Sequence, residues 1–114
     1  MTQQFWEYLQ RLVDTSQIVL DRPKGSTHPR YSGNPYPVGY GYLAGTTTMD
    51  AGGVDIWVGS LNLKRVVGAL CTVDLLKRDT ELKILYDCTV DEILKILQFI
   101  NQGEMRGFYV KRDQ

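Results

Sequence analysis

Apolar positions along the chain switch between helical and strand periods. Phe5, Trp6, Leu9, Leu12 and Val13 recur at helical spacing over residues 3–15, which predicts an amphipathic helix with Glu7 and Arg11 paired on its other side. Ile18-Val19-Leu20 predicts a strand within 16–22. Pro23 ends it, because proline has no N–H to give a ladder. Val54-Asp55-Ile56-Trp57-Val58 predicts another strand. Residues 60–64 read as a short hairpin connection into a long apolar strand, 65–76, in which Gly68 marks a bulge or bend. Residues 81–85 alternate polar and apolar, which places Glu81 and Lys83 on the unburied face of a further strand. Asp74 to Asp79 is then the loop between two antiparallel strands. Thr89-Val90-Asp91-Glu92 has the capping-box spacing. It opens a helix to about Gln102, with Ile93, Leu94, Ile96, Leu97 and Ile100 apolar and Gly103 as the stop. Residues 105–112 return as a last strand.

This order predicts a mainly β fold with flanking helices. The expected form is a small closed antiparallel Greek-key barrel of the OB type, with an N-terminal helix and a helix before the last strand. The length of 114 residues suits a single domain spanning 1–114. A core of that size needs no metal or disulfide staple.

Charge changes the picture by exclusion. The chain carries 13 basic and 13 acidic side chains. A net charge of zero argues against a broad electrostatic footprint for nucleic acid or an anionic membrane. The two cysteines, Cys71 and Cys88, have no zinc-type spacing. No leader-like start and no apolar run of about 20 residues is present. The expectation is a soluble, reduced, cytoplasmic protein. Phe5 and Trp6 are large anchors near a terminus, and a homo-oligomer is expected.

Candidate chemistry concentrates in residues 36–59. Tyr36, Tyr40 and Tyr42 sit at even spacing and share one face of an extended chain. Gly39 and Gly41 between them allow close approach of another backbone or a ligand. Asp50 and Asp55 flank the turn Ala51-Gly52-Gly53. Asp74 and Asp79 repeat that spacing after a second apolar run. Two strand-end carboxylate pairs meeting at one mouth would suit an oxygen-loving cation. Lys24, His28 and Arg30 bring three potentially cationic groups to one polar loop. Arg30 there could grip a phosphate bidentately and Lys24 could act as a point charge.

Tyr36-Pro37, Tyr40-Gly41-Tyr42, Asp50-x-x-x-Val54-Asp55, and the run from Gly68 to Asp74 and Asp79 together resemble the soluble, magnesium-dependent inorganic pyrophosphatases, in particular their short clostridial-type members. The resemblance runs from about Leu20 to about Leu85. It implies an OB-type barrel that hydrolyses pyrophosphate with Mg2+. It also implies Asp50, Asp55 and Asp74 as ligands of the central ions, Asp79 joining Asp74 on a further ion, and Asp21 at the place of a metal-linked glutamate. Arg30 falls near a phosphate-binding lysine of the family, and Lys24 is placed with it on substrate. By the same resemblance Tyr40 would hydrogen-bond in the site and contact substrate, and Lys83 or Glu81 would lie in the neighbourhood of another family lysine. Asp55, Asp74 and Tyr40 are the catalytic candidates. Gly52 stands where the family has a third aspartate, Gly39 where it has an asparagine, and a hairpin between Tyr31 and Tyr36 is missing.

Three functions are thereby ranked. The first is magnesium-dependent hydrolysis of pyrophosphate by a metal-activated water. The second is a non-catalytic module of the same fold that binds a phosphate-bearing ligand or a protein partner. The third, least favoured by the neutral charge, is an OB-type binder of single-stranded nucleic acid that stacks bases on the tyrosines.

Overall fold

A computed structural model describes residues 2–28 and 33–113 of the chain. In chain order they form α1 (Thr2–Asp14), β1 (Gln17–Arg22), β2 (Gly39–Ala44), β3 (Val54–Val58), β4 (Val66–Asp74), β5 (Asp79–Tyr86), α2 (Val90–Ile100) and β6 (Met105–Lys111). The strands make one sheet in the order β1-β2-β3-β5-β4-β6. The predicted elements are all present, and β2 adds Gly39–Ala44 within the tyrosine-rich stretch.

Two expectations about how the strands join are corrected. The sheet is open, with β1 and β6 at opposite edges, and not a closed barrel. Nor is it antiparallel throughout, since β3 pairs with β5 in parallel. The physical reason lies in the connection after β3, which is no hairpin. Asp87, buried and at φ 53°, accepts the N–H groups of Leu63, Lys64 and Arg65 at 3.3, 3.1 and 3.0 Å. That clamp carries the chain past β3's neighbour position. β5 fills the position, β4 lies outside β5, and β6 pairs with β4 at the far edge. Closure would need β1 to meet β6 across the width of the sheet. The register shift between Val66 and Gly68 places the expected irregularity at the start of β4.

Alternation along the strands divides the core in two. Trp57, Leu70 and Leu85 point to one face and pack with Ile93, Ile96 and Ile100 of α2. Ile56, Ala69 and Ile84 point to the other and pack with Trp6 and Val13 of α1. Burying each large side chain of this kind contributes roughly 1.5–3 kcal/mol. Both helices are pinned by polar groups at their ends. Glu92 closes the capping box with Thr89 and also accepts the N–H of Ser60 at 3.1 Å, which ties α2 to the exit of β3. Gln10 Oε1 accepts the Val66 N–H at 2.9 Å and Arg112 at 2.7 Å, which ties α1 to β4 and β6.

Candidate functional site

The face of the sheet that carries α2 does not end in apolar side chains. Two residues before Trp57 on β3 stands Asp55, and two before Leu85 on β5 stands Lys83. A step of two keeps a side chain on the same face. Glu81 follows at the next step, opposite Thr72 of β4, and Asp79 at the next, opposite Asp74. Tyr40 of β2 faces Trp57 across the ladder, and Tyr42 faces Asp55. The strand period therefore lays a polar row beside the α2 core.

Lys83 is the centre of that row. It is only 7% exposed, which corrects the expectation of an unburied face around it. Its ammonium donates to Asp55 Oδ2 at 2.8 Å, to Tyr40 Oη at 2.8 Å and to Glu81 Oε1 at 3.3 Å. A buried ammonium is tolerated only with such partners. Burial alone pulls the Lys83 ammonium down, but Tyr40 and Asp55 more than reverse this and hold it above its ordinary value. Burial likewise pushes the Tyr40 phenol up, against the pull of Lys83. At neutral pH the group is thus a protonated lysine and a neutral phenol. The Tyr40 ring packs on Trp57 at 4.5 Å between centroids, and Tyr36 stacks on both at 5.8 Å. These contacts fix where the phenol oxygen points.

Beside Lys83 lies a cleft of about 410 Å³ lined by Tyr42, Asp50, Gly52, Gly53, Asp55 and Glu81. The structure thus brings Asp50 and Asp55 to one opening, joined by Glu81. Asp50 is turned in on its own loop, where its Oδ1 accepts the Thr48 hydroxyl and the Gly52 N–H. Those hydrogen bonds, that of Thr48 first, hold its carboxyl below the usual carboxylate range. Ala51 at φ 67° completes the turn.

The other predicted residues fall elsewhere. Asp74 and Asp79 face each other at the tip of the β4–β5 hairpin, outside the residues that line the cleft. Asp74 Oδ1 accepts the N–H groups of Leu76 and Lys77 at 3.0 and 3.1 Å, so it organises the turn. Asp21 is exposed, at the register shift of edge strand β1. Lys24 lines a second groove of about 540 Å³ with Tyr36, Lys95 and Phe99. Arg30 lies outside the described residues. Glu81 is the residue that sequence reasoning under-weighted. Its signal was the spacing Glu81-x-Lys83, which puts acid and base on one face of one strand.

The donor chemistry suits magnesium in a limited way. That ion takes one or two carboxylates and keeps several waters. Asp50, Asp55 and Glu81 offer carboxylates at one opening. Among the described residues, no three acidic, histidine or cysteine side chains converge as a ready-made cage.

By geometry alone the chain is an open mixed sheet with a helix packed on each face and a tyrosine–lysine–carboxylate cluster beside one of them. No family model matches the chain, and no curated protein matches it by sequence. Solved structures do match. The inorganic pyrophosphatase of Helicobacter pylori superposes with a TM-score of 0.60 at 16% identity, over 82% of this chain and 81% of that one. A protein described as an inorganic phosphatase, from Anaplasma phagocytophilum, superposes with a TM-score of 0.52 at 17% identity, over 84% of this chain and 74% of that one. At such identities the likeness shows the fold, and the chain has the pyrophosphatase-like fold that its motifs resembled. No helix among the described residues is long and apolar enough to cross a membrane.

Proposed function

We propose that the protein hydrolyses inorganic pyrophosphate to two phosphates, with Mg2+ held at the Asp50–Asp55–Glu81 cleft. The observation that carries the reading is the contact of Lys83 with Tyr40, Asp55 and Glu81, at the edge of a carboxylate-lined opening on a pyrophosphatase-like sheet. Pyrophosphate is small and highly charged, so hydrolysis is mostly positioning and charge neutralisation. Mg2+, when bound, supplies a Lewis acid and a more acidic water. The chain's own groups do the rest. Asp55 and Glu81 hold the Lys83 ammonium at the wall of the cleft, where it can meet a phosphate oxygen. The Tyr40 hydroxyl accepts from Lys83 and is itself hydrogen-bonded to Asp55, which fixes the phenol beside the cleft. Asp74 and Asp79, further along the same face, extend the acidic row towards a further ion. Arg30 would add a phosphate contact in this reading, whereas Lys24 and Asp21 stand outside the residues that line the cleft.

The test is phosphate release from pyrophosphate as a function of Mg2+ concentration, beside a nucleoside triphosphate. The expected result is Mg2+-dependent release that prefers pyrophosphate. It should fall at least about 100-fold in Asp55→Asn, the scale on which positioned charged groups act. Calorimetric binding of pyrophosphate without turnover, or Asp55→Asn turning over like the wild type, would overturn the proposal.

A further inference from the structure

The face of the sheet that carries α1 is only partly covered. Trp6 and Val13 of α1 pack with Ala69 and Ile84, which are almost wholly buried. Two residues further on, the same face is bare. The register sets Leu82 of β5, Cys71 of β4 and Phe108 of β6 side by side across three strands. Val73 continues the same face of β4, and Val110 that of β6. Phe108 is 70% exposed, Val73 47%, Leu82 37% and Val110 36%, and Cys71 is exposed as well. With about 150–250 Å² for a whole aromatic side chain and somewhat less for an aliphatic one, these exposures leave roughly 400 Å² of contiguous apolar surface. One side of a standard interface buries about 800 Å², a little over half of it apolar. The strip therefore has the size of the apolar part of one such side. It is also nearly free of charge. Arg106, opposite Val73, is the charged neighbour, and its guanidinium turns back on the carbonyls of Gly103 and Met105 at 2.9 and 2.7 Å. A strip of this kind is complementary to itself, because a two-fold axis brings apolar side chains together and opposes no like charges.

From this geometry we propose that the chain forms a two-fold dimer through the Leu82–Cys71–Phe108 strip. The strip of one copy stacks on that of the other, sheet against sheet at about 10 Å. Phe108, the most exposed member, is the central anchor of the contact. The expected homo-oligomer thus uses the sheet, and not the Phe5–Trp6 end of α1, where Trp6 is 3% exposed and packs inward. The Lys83 cluster lies on the opposite face, beside the α2 core, so dimerisation leaves its cleft open. The contact is independent of what that cleft does.

The experiment is sedimentation equilibrium of the full chain from about 1 μM to about 1 mM, the range that suits a modest interface. The wild type should pass from monomer to dimer within it. Phe108→Arg puts a cation at the centre of the contact and should weaken association at least about 30-fold, the scale of an aromatic anchor. Leu76→Arg changes a more exposed side chain on the β4–β5 turn, outside the strip, and should dimerise like the wild type. Circular dichroism checks that the variants are folded. Should Phe108→Arg not fold, alkylation of Cys71 in the wild type decides. It should be immediate in the dilute monomer and markedly slower at the concentrated end, while buried Cys88 stays silent. A wild type that is monomeric throughout, a folded Phe108→Arg that dimerises as well as the wild type, or a Cys71 rate independent of concentration would overturn the proposal. Loss of the dimer in Leu76→Arg would place the contact elsewhere and overturn it too.

Discussion

Replacing Asp55 by asparagine tests the structural core of the site. Asparagine keeps the shape and an acceptor oxygen, so the change removes mainly the charge that faces Lys83 at 2.8 Å. Breaking a buried ion pair by removing one partner typically costs about 3–5 kcal/mol, because the other charge is left uncompensated. Here the cost is smaller for two reasons. The Asp55 side chain is 23% exposed, so its loss is partly screened, and Glu81 remains 3.3 Å from Nζ. A loss of about 2–3 kcal/mol follows, or roughly a 10 °C fall in Tm for a domain of this size. Urea unfolding followed by circular dichroism gives the free energy. The decisive comparison is the double variant Asp55→Asn/Lys83→Met. It carries no orphaned ammonium and should be at least ~1 kcal/mol more stable than Asp55→Asn alone. A single-variant loss under ~0.5 kcal/mol, or costs that simply add in the double variant, would refute the account. The pH dependence has a definite sign. Lys83 and Tyr40 are both held above their ordinary values in the fold. The unfolded chain therefore releases these protons first, above about pH 10. Their contribution is fully present below that pH and is lost as pH rises through the folded values. Asp55→Asn should flatten this alkaline decline, read as Tm against pH.

Two further predictions concern packing. A Cβ at Gly41 would lie 1.8 Å from the Val19 carbonyl oxygen of β1, so Gly41→Ala should lose about 3 kcal/mol or more in urea unfolding, and a loss under ~1 kcal/mol would contradict the β1–β2 approach. Cys71 is exposed and Cys88 buried, its thiol pushed up to about 12 by burial first and then by Glu92, so a thiol reagent at mildly alkaline pH should label one cysteine at once and the second only after denaturation; two fast thiols would contradict the packing under α2.

The sequence by itself determined the elements, because their causes are local. Helical spacing from Phe5 to Val13 and the Thr89–Glu92 capping box decide α1 and α2 within a turn or two of chain. Alternation decides β3 and β5, and the motifs around Tyr40, Asp50 and Asp55 carried the resemblance that the fold bears out. Strand neighbours are a different matter. β5 rather than β4 lies beside β3, and the loop that leads β4 outside it is held by Asp87, a buried carboxylate more than 20 residues away in sequence. No local pattern encodes that choice, and with it went the closed barrel. The same pairing decided the site. The sequence spaced its aspartates in two similar pairs, but only the register could show that Asp55 meets Lys83 and Glu81 while Asp74 and Asp79 meet each other. A lysine in an alternating strand looks solvated from its neighbours alone. It is buried here because Tyr40 and Asp55 arrive from two other strands to satisfy its charge, and that compensation exists only in three dimensions.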